Sequence, residues 1–245
     1  WPGLKTWYMK LKSRPCFRPL LADRDGDRSL RTEVSLAFAA GTNSVPLMAA
    51  EFTAACKHYP ILFTDTAAAQ PVALLGLRAA ENLFVDADGR WEGGAYTPAS
   101  VRRYPFIFLE SADKSEFTLC IDEAADAVIE GRDNPFFVDG QPTELTGNAL
   151  TFVKEFQAQG VFTAEFAQAV VDAGLLVDKR ADISLVNGER LSLAGFKVID
   201  EVLFNQLPAE ELLAWRERGW LGLVYAHLIS ISSWTGLVDR QGRRG

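Results

Sequence analysis

The feature that most constrains what this chain can fold into is a change of texture near residue 123. Between residues 33 and 122 the apolar side chains come in short runs parted by turn residues, which predicts strands. Those runs place strands at 33–39, 61–64, 72–77, 82–85, 106–110 and 117–121. Asp86-Ala87-Asp88-Gly89 reads as a tight turn between 83–85 and Trp91, the signature of a hairpin. One short helix is expected among the strands, over 46–59. Pro46 suits a first helical turn, Ala49, Ala50, Ala54 and Ala55 favour helix, and Pro60 stops it.

Past residue 123 the spacing becomes helical. Phe152, Val153 and Phe156, then Phe162, Phe166 and Val170, fall on one helix face. Gly160 is expected to split them into two helices, with Thr163 or a neighbour capping the second and Gly174 ending it. Asn187-Gly188 between 183–186 and 190–193 is the strongest hairpin signal in the chain, and a third strand is expected over 196–199 after Gly195. Pro208, Glu210 and Glu211 open a helix that Arg216, Arg218 and Gly219 close. A last helix over 220–232 is apolar on most faces and is expected to be buried. With no repeat in view, these signals predict an α+β fold: a single compact domain with a strand-rich N-terminal half and a helix-rich C-terminal half. The domain is expected over residues 31–238, after a basic, poorly ordered leader (1–30) and before a basic tail (239–245).

A chain of 245 residues can bury a sizeable core without disulfide or metal staples. A hydrophobic share of 48% and a charged share of 23% exclude wholesale disorder, collagen, coiled coil and a polytopic membrane protein. The net charge of -7 is unevenly spread. Residues 1–32 hold eight Lys or Arg against three Asp, so the remainder carries -12. An acidic body repels phosphate backbones, so no nucleic-acid partner is expected. Cys16, Cys56 and Cys120 match no disulfide framework and point to a reducing compartment. The opening residues lack the apolar stretch of a secretory signal, which makes the cytoplasm the expected location. The longest apolar run, 220–231, has about 12 residues where a membrane span needs about 20, so no span is expected.

Motifs that carry chemistry are sparse. The turn at Asp23-Arg24-Asp25-Gly26-Asp27 hints at a calcium loop, but Gly26 is out of register and Val34 stands where the twelfth-position Glu belongs. Neither a G-x-S-x-G elbow nor a glycine-rich phosphate loop occurs. His227 lies in an apolar stretch and reads as a core histidine. His58 and Cys56, with Glu51 or Asp122 as acid or base, are the candidates for catalysis. The same groups could hold a metal only with ligands that the spacing does not supply, so no metal and no cofactor is expected.

One stretch stands apart. Residues 91–106 set Trp91, Tyr96, Tyr104 and Phe106 around Arg102 and Arg103, stiffened by Pro98 and Pro105. Rings with arginine are what recognition surfaces use. These six residues are the candidate binding site for a peptide or protein partner. The alternative is internal: Arg102 or Arg103 pairs with Asp122 or Glu51 while the rings pack into the core.

The strings Val45-Pro-Leu-Met-Ala-Ala-Glu-Phe52, Tyr59-Pro-Ile-Leu-Phe63, Tyr96-Thr-Pro-Ala-Ser-Val-Arg-Arg-Tyr-Pro-Phe106 and Leu119-Cys-Ile-Asp122 resemble the bacterial SapC family. So do Gly195-Phe-Lys-Val-Ile-Asp200 and Gly219-Trp-Leu-Gly-Leu-Val-Tyr-Ala-His-Leu-Ile-Ser230. The resemblance spans residues 33–236 and implies no catalytic residues. It implies a link to a bacterial surface layer, and to systems whose genes neighbour TonB-dependent receptors and tryptophan halogenases. Three readings follow: a non-enzymatic binding or accessory protein of such systems, an enzyme acting on a peptide or amino-acid-derived substrate, or a self-assembling surface-layer component. The surface readings place the protein at the cell surface by a non-classical route.

Overall fold

The computed structural model describes residues 17–110 and 117–244. Twelve strands are seen among them: β1 (Phe17–Pro19), β2 (Arg28–Leu30), β3 (Ser44–Pro46), β4 (Ile61–Thr64), β5 (Pro71–Leu74), β6 (Phe106–Glu110), β7 (Phe117–Asp122), β8 (Val128–Glu130), β9 (Phe137–Val138), β10 (Gln141–Pro142), β11 (Leu176–Ser184) and β12 (Arg190–Ile199). The helices are α1 (Ala22–Asp25), α2 (Phe52–Ala55), α3 (Ala99–Arg102), α4 (Glu144–Asp172), α5 (Glu201–Asn205), α6 (Ala209–Glu217), α7 (Trp220–Ser230) and α8 (Trp234–Arg244). The fold is α+β, with strands mostly in the N-terminal half and helices toward the C-terminus.

The main sheet is antiparallel, in the order β11-β12-β4-β5-β3. Every residue of β3, β4 and β5 is buried, which is why β4 and β5 read as apolar runs rather than alternating ones. The C-terminal hairpin joins this sheet through two residues only, Phe196 beside Thr64 and Lys197 beside Phe63. A second sheet, β1-β7-β6, carries its own core of Leu20, Phe106, Leu119, Ile121, Phe136, Phe137 and Val153. Helix α4 spans both cores. Val153 lies in the second, while Phe166 and Val170 lie in the first. There Phe166 meets Phe52, Phe63, Trp215 and Trp220 at centroid distances of 6.0 to 6.4 Å. The pairs with Phe52 and Trp215 are edge to face, a geometry that adds about 0.5–1.5 kcal/mol each beyond the burial itself.

Several expectations are corrected. The fold does not begin at residue 31. Within the expected leader, β1, α1 and β2 are formed, and Asp25 is fully buried between them. Arg18 pairs with Asp25 in bidentate fashion at 2.7 and 2.9 Å, which turns charges that looked solvated into a structural clamp. Cys16 and the leader's Lys5, Lys10, Lys12 and Arg14 lie outside the described residues. Nor is 239–244 a tail: α8 buries Gln241, and Arg244 donates to the Asn82 and Val85 carbonyls at 2.8 and 2.7 Å.

Other differences are local. Residues 33–39 form no strand and end in a 3-10 turn at Ala37–Ala39, while 82–85 contributes one isolated bridge, Val85 to Trp91. The helix expected over 46–59 shrinks to a 3-10 turn at Ala49–Glu51 followed by α2, because Pro46 is held in β3. Gly160 does not break α4. That helix runs unbroken for 29 residues, and a side chain at 160 would meet open space. Thr163 is not a cap: its hydroxyl donates to the Gln159 carbonyl at 2.6 Å and accepts from Ala49 N at 2.8 Å.

The strands expected at 190–193 and 196–199 are one strand. Ala194-Gly195 bulges opposite Arg180, with Gly195 at φ 79°. The last helix of the sequence reading continues through a 3-10 turn into α8. The helical run Trp220–Arg244 is long and apolar enough to cross a membrane by length and composition, with a mean hydropathy of 1.4 over its 18-residue window, of which 28% is buried. The burial expected of this helix holds on one side only: Trp220, Val224, His227 and Leu237 pack inward, while Tyr225 and Ile229 are exposed.

Candidate functional site

Glu51 sits at the end of the 3-10 turn, buried, with both carboxylate oxygens engaged. Oε2 accepts from Met48 N at 2.8 Å, and Oε1 accepts from Ala99 N at 2.7 Å and from the Tyr96 hydroxyl at 2.9 Å. Ser100 Oγ donates to the Pro46 carbonyl at 2.8 Å beside it. Burial lifts the Glu51 carboxyl above its ordinary range, although the two backbone donors, Tyr96 and the Arg102 charge all pull it back. The Tyr96 phenol, buried against that carboxylate, is pushed up to about 12. Tyr59 extends the network: its hydroxyl donates to the Tyr96 carbonyl and accepts from Trp91 Nε1 at 3.1 Å.

The six candidate binding residues therefore divide. Trp91, Tyr96 and Arg102 share the first network. Arg102 is exposed, donating to the Thr97 carbonyl and the Tyr96 hydroxyl at 3.0 and 3.1 Å, with its guanidinium over the Tyr96 and Phe152 rings. Arg103 is buried, its guanidinium 4.8 Å from the Phe156 ring centre. Tyr104 stacks on Phe38 at 3.9 Å and donates to Asp122 Oδ2 at 3.1 Å. Phe106 lies in the second core, edge-on to Phe136. Arg103, Tyr104 and Phe106 thus hold the chain together where β6 begins.

The candidates for catalysis are dispersed in the same way. Asp122 is fully buried and caps its own turn through Ala124 N at 3.1 Å. The Cys56 thiol donates to the Thr53 carbonyl at 3.4 Å. His58 is half-buried. Burial, then the charges of Arg240 and Lys57, hold its pKa below the ordinary value. No hydrogen bond joins Glu51, Cys56 and His58 to one another among the described residues. His227 is a core histidine: it is fully buried, its Nε2 accepts from Ile199 N at 3.0 Å, and burial drops its pKa to about 4. Among the described residues no three His, Cys, Asp or Glu side chains cluster as a metal site needs.

A cleft of about 490 Å³ is lined by Glu33, Val34, Ser35, Leu36, Asp88, Gly89, Arg90 and Trp91. That size falls in the range of small-ligand and peptide-side-chain pockets. Two turns build it. Asp86 Oδ1 accepts from Asp88 N at 2.9 Å and from Arg90 N at 2.8 Å, and Leu36 N donates to the Gly89 carbonyl at 2.7 Å across the cleft. Gly89 holds φ 76°, and a Cβ there would come within 2.1 Å of Ser35 Oγ, so only glycine fits. Trp91 is the one candidate binding residue on the cleft wall. Glu33 and Ser35 were hidden from sequence reasoning because their alternation reads as a strand. Only the approach of 33–36 to the 86–91 turn makes them a wall.

No solved structure matches this chain. Over 20 residues it is 95% identical to FtsZ-localized protein A of Caulobacter vibrioides (strain NA1000 / CB15N), a match that spans 8% of this chain and 9% of that protein. The family model described as SapC matches residues 22–237, which takes in the main sheet, β6 and β7 of the second sheet, the Glu51 network and the 490 Å³ cleft. The chain belongs to the SapC family.

Proposed function

We propose that this SapC-family chain is a non-enzymatic binding protein that recognises a peptide or protein segment at the Trp91 cleft. In this reading it serves as an accessory protein of a surface-layer or outer-membrane uptake system. The observation that carries the proposal is the fixation of Trp91. Its indole stacks on Phe84 with ring centres 6.1 Å apart, and its Nε1 is held by Tyr59, so the ring is set before any ligand arrives. A pre-set aromatic anchor loses little entropy on binding. Glu33, Asp88 and Arg90 are exposed around it and supply a charged rim. The catalytic alternative has less support, since Glu51 is occupied by two backbone amides and a phenol.

The test is selection of displayed random peptides on the full chain, followed by titration of the enriched peptides. Arg90→Ala and Glu33→Ala should each weaken those peptides severalfold, and Trp91→Ala should abolish binding. Peptides that bind all three variants as tightly as the parent protein would place recognition elsewhere. Fractionation of the host, tracking the protein in cytosol, periplasm, outer membrane and shed surface layer, tests the accessory role. A wholly cytosolic pool would separate the protein from surface systems.

A further inference from the structure

Helix α7 presents an outer face without charge. From Trp220 to Val238 the chain holds no Asp, Glu, Lys or Arg, in a protein where 23% of residues carry charge. The inner face, with Trp220, Val224, Ala226 and His227, is buried. The outer face is open: Tyr225 is 53% exposed and Ile229 59%. Helix α5 packs beside it, with the buried Phe204 edge to face with Tyr225 at 5.7 Å, and Val202 of that helix is 63% exposed. Single exposed apolar residues are ordinary, whereas a contiguous uncharged face marks an interaction surface.

A groove of about 370 Å³ adjoins it. Phe196, Val198, Leu228, Ile231 and Trp234 supply its apolar lining. Charges stand at its two ends. Lys179 lies in register with Phe196 and is followed by Arg180, whereas Asp200 and Glu201 follow the last residue of β12. Four residues of strand separate Phe196 from Asp200, about 13 Å. An apolar centre with cations at one end and anions at the other is complementary to itself after a half-turn. The partner's cationic end then lies over this chain's anionic end, and the reverse. A lipid surface fits less well, because Asp200, Glu201 and the acidic body repel anionic headgroups.

We infer that the groove and the outer face of α7 form a two-fold interface that binds a second copy of this chain. This interface is separate from the Trp91 cleft and stands or falls independently of it. Arg180 is already engaged by Asp182 at 3.0 Å, so Lys179 is the cation to reverse.

The test is sedimentation equilibrium of the full chain. The parent protein should be a dimer at micromolar concentration. Ile229→Asp should leave a monomer with an unchanged circular dichroism spectrum and melting temperature. Lys179→Glu and Glu201→Lys should each weaken the dimer about tenfold, and combining them should restore it. A parent protein that stays monomeric overturns the inference, as does a dimer indifferent to Ile229→Asp or a double variant no tighter than the single ones. Flotation with phosphatidylcholine vesicles supplies the remaining arm. A monomer that floats with vesicles and loses that property in Ile229→Asp would make the face a lipid surface and overturn the dimer.

Discussion

The Tyr96 hydroxyl donates to Glu51 Oε1 at 2.9 Å, and the same oxygen takes the first amide of α3, Ala99 N, at 2.7 Å. One buried carboxylate therefore ties the 96–102 segment to the turn at Ala49–Glu51. Arginines and rings that have the composition of a recognition surface are largely internal fastenings here. What remains open is Trp91 in its cleft at one end of the segment and the exposed Arg102 farther along it.

Replacing Glu51 should be costly. Glu51→Ala leaves two buried amides and a phenol without an acceptor, and should destabilise the protein by about 3 kcal/mol in urea unfolding. The pH dependence has a definite sign. Because the folded-state pKa lies above the ordinary 4.5, the folded chain holds this proton more tightly than the unfolded one. The associated stability is fully present below 4.5 and declines as pH rises through the elevated value. Glu51→Gln, which does not titrate, should lack that decline. A parallel pH profile for the two proteins would show that the carboxyl is not shifted.

His227 should behave in the opposite way. Its pKa falls from 6.5 to about 4 on folding, so the unfolded chain binds the proton better. Its contribution to stability is complete above 6.5 and is lost as pH drops toward 4, worth about 3 kcal/mol in all. Melting temperatures across that window should fall steeply for the parent protein and less steeply for His227→Gln. An imidazole proton titrating near 6.5 by NMR in the folded protein would contradict this.

Gly89→Ala should damage the cleft and the fold together. The substitution places a side chain at φ 76° and drives Cβ into Ser35 Oγ. A loss of about 1–3 kcal/mol is expected in thermal unfolding. Gly89→Ala combined with Ser35→Gly should recover the steric part and leave the backbone part. Full recovery would mean that the left-handed backbone costs nothing there.

Gly160→Ala should stabilise the protein by about 1 kcal/mol, since the helix is continuous through 160 and the added methyl meets nothing. A destabilised variant would instead indicate the helix break that the sequence suggests.

Most strands of the main sheet, and β6 and β7 of the second, were legible, because their signals are local. Short apolar runs gave β4, β6 and β7 nearly to the residue and β5 with an end three residues too long, and Asn187-Gly188 announced the β11–β12 turn. Gly160 misled because one glycine costs a long helix only about 1 kcal/mol, which the packing of Phe166 and Val170 on one side and Val153 on the other outweighs. The basic residues of the expected leader misled for a related reason: Arg18 reads as a solvated charge until Asp25 is buried against it.

Class of fold, the type of most elements and the internal character of His227 were thus determined by the sequence alone. They follow from periodicity, turn chemistry and hydropathy, which act over a few residues. Only the tertiary structure decided which partners those elements take. It set Phe196 and Lys197 on β4, brought Glu51 under Tyr96 and Ala99, and closed residues 33–36 over Gly89 and Trp91. Such pairings depend on shape and on satisfying buried donors between segments far apart in the chain, and no local pattern records them.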